Sequence, residues 1–395
     1  MKRADHLFEQ IVEPDNVRRA FHRAARGKWD REEVRLFAAS LDESLGTLRR
    51  DLLKQRLELG HSSTFTIYDP KQRTITAPCF RERVLHHAII RICEPFFERF
   101  LIADTYACRT GKGRISALHR AECFTDRFPY ALKLDMRKYF NSVPHELLLE
   151  RLQRRFKDQR LLALFRQIVC SQGSEGRGLP IGSLTSQHFA NFYLGWFDRH
   201  VKEHMQLRGY VRYMDDCLIW ADRRSALLET ADGCREFLQR ELKLTVREDT
   251  PIYRSANGID FLGCRVFRDH LKLNRRSRRR FRAKFRELEE QFVIGTISER
   301  ELQRRSEALT AFTKAGNVRS WNFRQQVLQQ GVVSGHGLEP GEPGRQLEQR
   351  LRELPFGEPQ QEHAGQPEQQ QRLSCAPQLR SRDGCPFDGT DHSPV

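Results

Sequence analysis

The chain has 395 residues, of which 38% are hydrophobic, enough for a globular core in one large domain or two to three smaller ones. Its net charge of +16 and pI near 9.7 point to a polyanionic partner, because Lys and Arg contacts to phosphates release counterions. No apolar run approaches the roughly 20 residues that span a bilayer, and M-K-R-A-D-H-L-F-E-Q lacks the apolar core of a signal peptide, so the reading is cytosolic with no membrane partner. The ten cysteines show no C-x-x-C pair and no Cys/His cluster at zinc spacing, which argues against disulfides and structural zinc. Charge alone leaves a solvated basic surface or an anionic membrane open beside nucleic acid, and the aspartate motifs below favour nucleic acid.

Residues 1 to about 60 carry apolar positions at three- and four-residue spacing, through Val34, Leu36, Phe37, Leu41, Leu45, Leu48 and Leu52, which predicts packed helices. From Ser62 to Pro78 two β-rich runs flank a turn at Asp69, Pro70 and Lys71, predicting a hairpin with Arg73 on its second strand. Cys79 to Phe100 reads as an amphipathic helix. Its adjacent His86 and His87 would point about 100° apart, a poor chelating pair. Tyr106 to Ala117, Y-A-C-R-T-G-K-G-R-I-S-A, is basic and glycine-containing but lacks the P-loop spacing, and Arg109, Lys112 and Arg114 are candidates for backbone phosphates.

Ala131 to Val143, A-L-K-L-D-M-R-K-Y-F-N-S-V, is a short apolar strand delivering Asp135 at its end, followed by a helix starting near Pro144. Gly178 to Leu194, G-L-P-I-G-S-L-T-S-Q-H-F-A-N-F-Y-L, opens as a loop and continues as a helix through Phe197. Tyr210 to Trp220, Y-V-R-Y-M-D-D-C-L-I-W, predicts a strand, a tip at Met214, Asp215 and Asp216, and a returning strand in which Cys217 is a small packing residue. An adjacent Asp pair is most often an ordinary turn. Here the flanks are apolar, and two like charges half-buried together call for compensation by a divalent cation. Magnesium fits, since it takes oxygen ligands from one or two carboxylates together with substrate phosphates.

Leu242 to Phe267 reads as strand, turn and strand ending in I-D-F-L-G-C-R-V-F. Residues 275–330 are basic and helical, opening R-R-S-R-R-R-F-R-A-K-F-R, a density of arginine that reads as phosphate contact. From about Val333 the sequence is rich in Gly, Pro and Gln and poor in apolar residues, which predicts disorder. No internal repeat is evident.

In that order the segments around Asp135, Gly182 and Y-M-D-D resemble motifs A, B and C of reverse transcriptases, and the resemblance covers roughly residues 60–325. It implies an α+β right-hand polymerase with an antiparallel palm sheet. The implied organisation is an N-terminal helical region (1–60), fingers and palm (61–268), a basic helical thumb (269–332) and a disordered tail (333–395). The implied reaction is RNA-directed DNA synthesis on two Mg²⁺ ions, with Mn²⁺ as substitute. Asp135, Asp215 and Asp216 would be catalytic, and Asp135, Met136, Asp215 and Asp216 would be metal-binding. Lys71, Arg73, Phe140, Ile181, Gly182, Gln187 and Met214 would line the nucleotide site, with the Phe140 ring excluding a 2′-hydroxyl. Phe261, Leu262 and Gly263 match the F-L-G of motif E at the primer terminus. The implied partners are template RNA, primer, cDNA product, deoxynucleoside triphosphates and a small basic accessory protein.

Ile181 and Gln187 stand where the common motif B has Gln and Pro. The form I-G-x-x-x-S-Q resembles diversity-generating retroelement enzymes, which copy RNA with frequent errors at adenines. Retron, group II-derived and antiphage-defence reverse transcriptases are alternatives within the class, and a catalytically dead RNA-binding protein is the alternative outside it. The V-R-E-D-T-P segment lacks the lysine usual in motif D.

Overall fold

A computed structural model of the protein describes residues 3–59, 62–68, 72–171 and 175–313. Lys71, the hairpin tip around it and the predicted tail at 333–395 lie outside the described residues, as does the end of the predicted thumb.

The N-terminal region is helical as its periodicity predicts, with α1 (Phe8–Ile11), α2 (Pro14–Ala25), α3 (Glu32–Ala39) and α4 (Leu41–Leu53). Pro14 opens α2, where its missing N–H costs nothing. Ile11, Val17, Phe21, Val34, Leu45, Leu48 and Leu52 are buried, whereas Leu36, expected among the packed positions, faces outward and is 65% exposed. The region is tied to the rest of the chain by Asp158, whose carboxylate accepts the N–H groups of Leu7 and Phe8 at 2.8 Å while also capping a later helix through the N–H of Leu161.

The predicted hairpin forms as β1 (Ser62–Ile67) and β2 (Arg73–Pro78), antiparallel with Phe65 opposite Ile75. Helix α5 (Phe80–Glu98) follows and packs against α2 and the motif B helix. Beyond it, α6 (Arg114–Arg127) precedes β3 (Tyr130–Asp135). The expected helix starts at Pro144, the N-cap of α8 (His145–Gln153), and a short helix α7 (Tyr139–Ser142) precedes it, separated by the extended Val143 and Pro144. Helices α9 (Gln159–Cys170) and α10 (Leu184–Arg199) lead to β4 (Gly209–Tyr213), β5 (Asp216–Ala221) and α11 (Arg224–Leu242).

The central sheet is antiparallel, in the order β4-β5-β3 and then β6 (Ile252–Arg254). Alternation places Leu132, Leu134, Tyr210, Cys217 and Ile219 in the core beneath α10, and Ala131, Val211, Leu218 and Trp220 in a second core with α6. The stretch read as one strand, turn and strand from Leu242 to Phe267 divides differently. Its first strand, β6, joins the central sheet, and β7 (Ile259–Phe261), β8 (Cys264–Val266) and β9 (Leu271–Leu273) form a separate three-stranded sheet packed on that second core. Gly258, at φ +77°, makes the break between them.

The basic segment forms α12 (Arg275–Val293) and α13 (Glu299–Thr313). Asn274 caps α12 by accepting the N–H of Ser277, and Phe281 and Phe285 stack along its inner face. No helix among the described residues is long and apolar enough to cross a membrane.

Candidate active site

The site begins with strand register. In the antiparallel pairing of β3 with β5, Asp135 stands directly opposite Asp216, so both carboxylates leave the same face of the sheet at its end. Tyr213 pairs with Asp216 across β4 and β5, leaving Met214 and Asp215 as a two-residue turn. Met214 has φ +55°, the left-handed conformation that such tight turns require. The tip expected at 214–216 is therefore Met214 and Asp215, with Asp216 as the first residue of β5.

Period two also puts Lys133 on the Asp135 face. Its Nζ lies 3.2 Å from the Asp216 carboxylate and donates to the carbonyl of Asp260 at 3.0 Å, linking the palm sheet to the β7–β9 sheet. Asp216 Oδ1 makes no hydrogen bond of good geometry. Burial pushes the Asp216 carboxyl up to about 6. Lys133 pulls it down, and Asp215 and Asp135 push it further up. Burial raises the Asp215 carboxyl as well, with Asp135 raising it and Arg73 and Arg212 lowering it. Arg73 is exposed on β2.

Asp135 accepts from Arg247 Nη1 at 3.0 Å, and the backbone flanking Met136 is fixed by Arg247 N to Asp135 O (3.0 Å) and Arg137 N to Thr245 O (2.8 Å). Met136 itself is buried. The V-R-E-D-T-P segment thus sets an arginine beside Asp135. Nothing in V-R-E-D-T-P signals that contact in advance. Lys133 was legible in principle, because K-L-D places it two residues from Asp135 and hence on the same strand face.

The nucleotide-site candidates line a connected wall. Phe140, half-buried in α7, accepts the N–H of Leu179 through its carbonyl at 2.7 Å, and Ile181 accepts the N–H of Thr76 on β2 at 2.8 Å. Gly182, at φ +122°, lies so close to β2 that a Cβ would sit 2.8 Å from the Thr76 carbonyl oxygen. Gln187, in the first turn of α10, is 3.6 Å from Cys108 Sγ, which donates to its Oε1. Behind this wall His86 is buried, 3.2 Å from Ser183 Oγ at the start of α10. Burial, with the neighbouring His87, holds its imidazole down to about 3.

Phe261 is buried, and Leu262 (φ +47°) and Gly263 (φ +79°) form the two-residue turn between β7 and β8. A leucine there needs support. Arg114 Nε donates to the Leu262 carbonyl at 2.9 Å and Asn274 N to the Gly263 carbonyl at 3.1 Å. In the basic segment before motif A, Arg109 holds Glu98 and the carbonyls of Ile102 and Thr105, and Lys112 holds the carbonyl of Ala103.

The donor set around the turn consists of hard carboxylate oxygens, one of them without a well-formed hydrogen bond, which suits Mg²⁺. Among the described residues no group of three or more His, Cys, Asp and Glu side chains is placed to hold a metal ion, so Mg²⁺ held by one or two of these carboxylates would complete its shell with waters and substrate phosphates.

Residues 68–266 match the family model described as reverse transcriptase (RNA-dependent DNA polymerase). Protein YkfC of Escherichia coli is 24% identical over 269 residues, covering 55% of this chain and 71% of that protein. Nuclear intron maturase 4, mitochondrial, of Arabidopsis thaliana is 26% identical over 212 residues, half of this chain and a quarter of the maturase. A telomerase structure from Candida albicans superposes with a TM-score of 0.45 at 11% identity, over 76% of this chain and 67% of that one. With the family match covering half of the chain and its aspartates on neighbouring antiparallel strands, this protein belongs to the reverse transcriptase family, with an α+β right-hand polymerase fold.

Proposed function

We propose that the protein is an RNA-directed DNA polymerase that copies a template RNA by nucleotidyl transfer onto a primer 3′-hydroxyl. The observation that carries this reading is the direct opposition of Asp135 and Asp216 beside the Met214–Asp215 turn, inside the segment that matches the family. Asp135, Asp215 and Asp216 would hold two Mg²⁺ ions, with the Met136 backbone beside them. Metal ions held there would supply activation of the primer 3′-hydroxyl and neutralisation of the leaving pyrophosphate. Arg73, with Lys71, orients the triphosphate from the fingers hairpin, and Phe140 closes the sugar pocket against a 2′-hydroxyl. The wall of Ile181, Gly182 and Gln187 backs the base pair, and the Leu262–Gly263 turn with Phe261 supports the primer end. In this reading 61–268 are fingers and palm, 269–332 the thumb, and 1–60 a helical buttress.

Within the family, the I-G-x-x-x-S-Q form of motif B favours an error-prone enzyme of the diversity-generating type, acting on its template RNA with deoxynucleoside triphosphates and a small basic accessory protein. Primer extension on a defined RNA with Mg²⁺, beside the Asp215→Asn variant, tests the activity. Extension absent from wild type, or retained in the variant, overturns it. Flanking genomic DNA tests the subtype: a template and variable repeat pair differing at adenines supports it, and its absence removes it.

A further inference from the structure

Arg212, on β4 three residues before Asp215, is fully buried, and so is its partner Asp198 on α10. Arg212 Nε and Nη2 donate to Asp198 Oδ1 and Oδ2 at 2.6 Å each. Its Nη1 donates to Asn191 Oδ1 and to the carbonyl of Met214, both at 2.9 Å, and Nη2 also reaches the Asn191 carbonyl at 3.0 Å. Asp198 accepts in addition from the hydroxyls of Tyr210 (2.6 Å) and Thr105 (2.9 Å). The Arg212 backbone is fixed as well, its N–H to Asp104 O and its carbonyl to Tyr106 N, both at 3.0 Å.

Burying such a pair is poor value for stability alone, because apolar residues of similar volume often do as well or better. What the guanidinium supplies, and an apolar pair would not, is a directional contact to the Met214 carbonyl. Met214 sits at φ +55°, and its peptide plane leads directly into Asp215. A planar fork can hold α10 with two arms and the turn with the third. We propose that Arg212 is a positioning residue that sets the direction of the Asp215 carboxylate by locking the Met214 carbonyl to the motif B helix. This rests on the proposed role of Asp215 as a metal ligand and goes beyond it by assigning the rigidity of the turn to α10.

Two variants test it. Arg212→Lys keeps the charge but offers one compact set of donors that does not span Asp198 and Met214 together. Arg212→Met combined with Asp198→Leu removes both buried charges. Asp158→Asn serves as control, since it disturbs a buried carboxylate that caps α9 away from the turn. Full-length proteins are compared by thermal unfolding, by hydrogen exchange in residues 213–217, by Mn²⁺ binding followed by electron paramagnetic resonance, and by primer extension against Mg²⁺ concentration.

The expected result is about tenfold faster exchange confined to the turn in both variants, with weaker Mn²⁺ binding. kcat should fall roughly a hundredfold, the effect of a displacement near 1 Å, while primer-template affinity stays at the wild-type value. The control should lose thermal stability with no change in turn exchange or Mn²⁺ affinity. Wild-type exchange and Mn²⁺ affinity in folded variants would overturn the proposal. Failure of both variants to fold would also overturn it, leaving Arg212 a structural role only. Loosened turns and weakened Mn²⁺ binding in a protein that extends no primer would sustain the positioning role while removing the proposed polymerase activity.

Discussion

The backbone N–H of Thr76 on β2 donates to the carbonyl of Ile181, in the loop before α10, at 2.8 Å. This bond joins two segments more than a hundred residues apart into one surface. The Ile181 carbonyl makes the bond whatever side chain the residue carries, so the side chain is free to set discrimination. Ile181→Gln is expected to raise fidelity, most visibly opposite template adenine. One recovered hydrogen bond is worth about 0.5 to 1.5 kcal/mol, a few-fold to about tenfold in a discrimination ratio. Sequencing cDNA made by both forms on one adenine-containing RNA checks this, and identical error spectra would refute it.

The same contact makes Gly182 sensitive. Gly182→Ala places a methyl 2.8 Å from the Thr76 carbonyl oxygen and 3.0 Å from Ile75 Cγ2, at a φ that disfavours side chains. The expected cost is about 1 to 3 kcal/mol, with a weakened dNTP KM as the hairpin shifts. Denaturant unfolding and single-nucleotide kinetics measure the two effects.

Asp135→Asn and Asp215→Asn are each expected to lower kcat by about a thousandfold or more, because several kcal/mol of charge stabilisation at the reacting phosphate is lost. RNA binding should persist, since the basic surface that supplies it is unchanged. Electrophoretic mobility shift and primer extension on the same preparations separate the two, and near-wild-type extension by either variant would remove these residues from the catalytic centre.

Phe140→Ala should admit ribonucleotides. The ring belongs to the short helix α7, whose backbone is pinned to Leu179, so truncation opens space while leaving the segment in place. Single-nucleotide incorporation with dNTP and NTP measures the selectivity, and an unchanged ratio would make Phe140 a packing residue.

His86 gives a pH prediction. Its folded-state value near 3 lies below the unfolded value of about 6.5, so its neutral form stabilises the fold above 6.5, and that contribution is lost as pH falls from 6.5 toward 3. The slope approaches about 1.4 kcal/mol per pH unit. Asp216, raised to about 6, works oppositely in the metal-free protein and gains stability on protonation below that value. Comparing wild type with His86→Gln by unfolding between pH 4 and 7 isolates the histidine, and parallel curves would count against it.

Asp135 was singled out by the resemblance of its segment to motif A, whereas local pattern drew attention to Asp215 and Asp216, because acids inside a β-branched, aromatic run are costly without a partner. The same holds for the β1–β2 hairpin and the helices before it, whose period is written in nearest neighbours. Arg212 carried a comparable signal as a charge within Y-V-R-Y, but its partners Asp198 and Asn191 lie on a different element and follow only from how α10 crosses the sheet. Arg247 beside Asp135, Arg114 beneath Leu262, and the division of residues 252–273 between two sheets were likewise decided by tertiary structure. Periodicity tells which face of an element is apolar. Which distant carbonyl or carboxylate a given arginine meets depends on the packing of whole elements, and no local spacing encodes that.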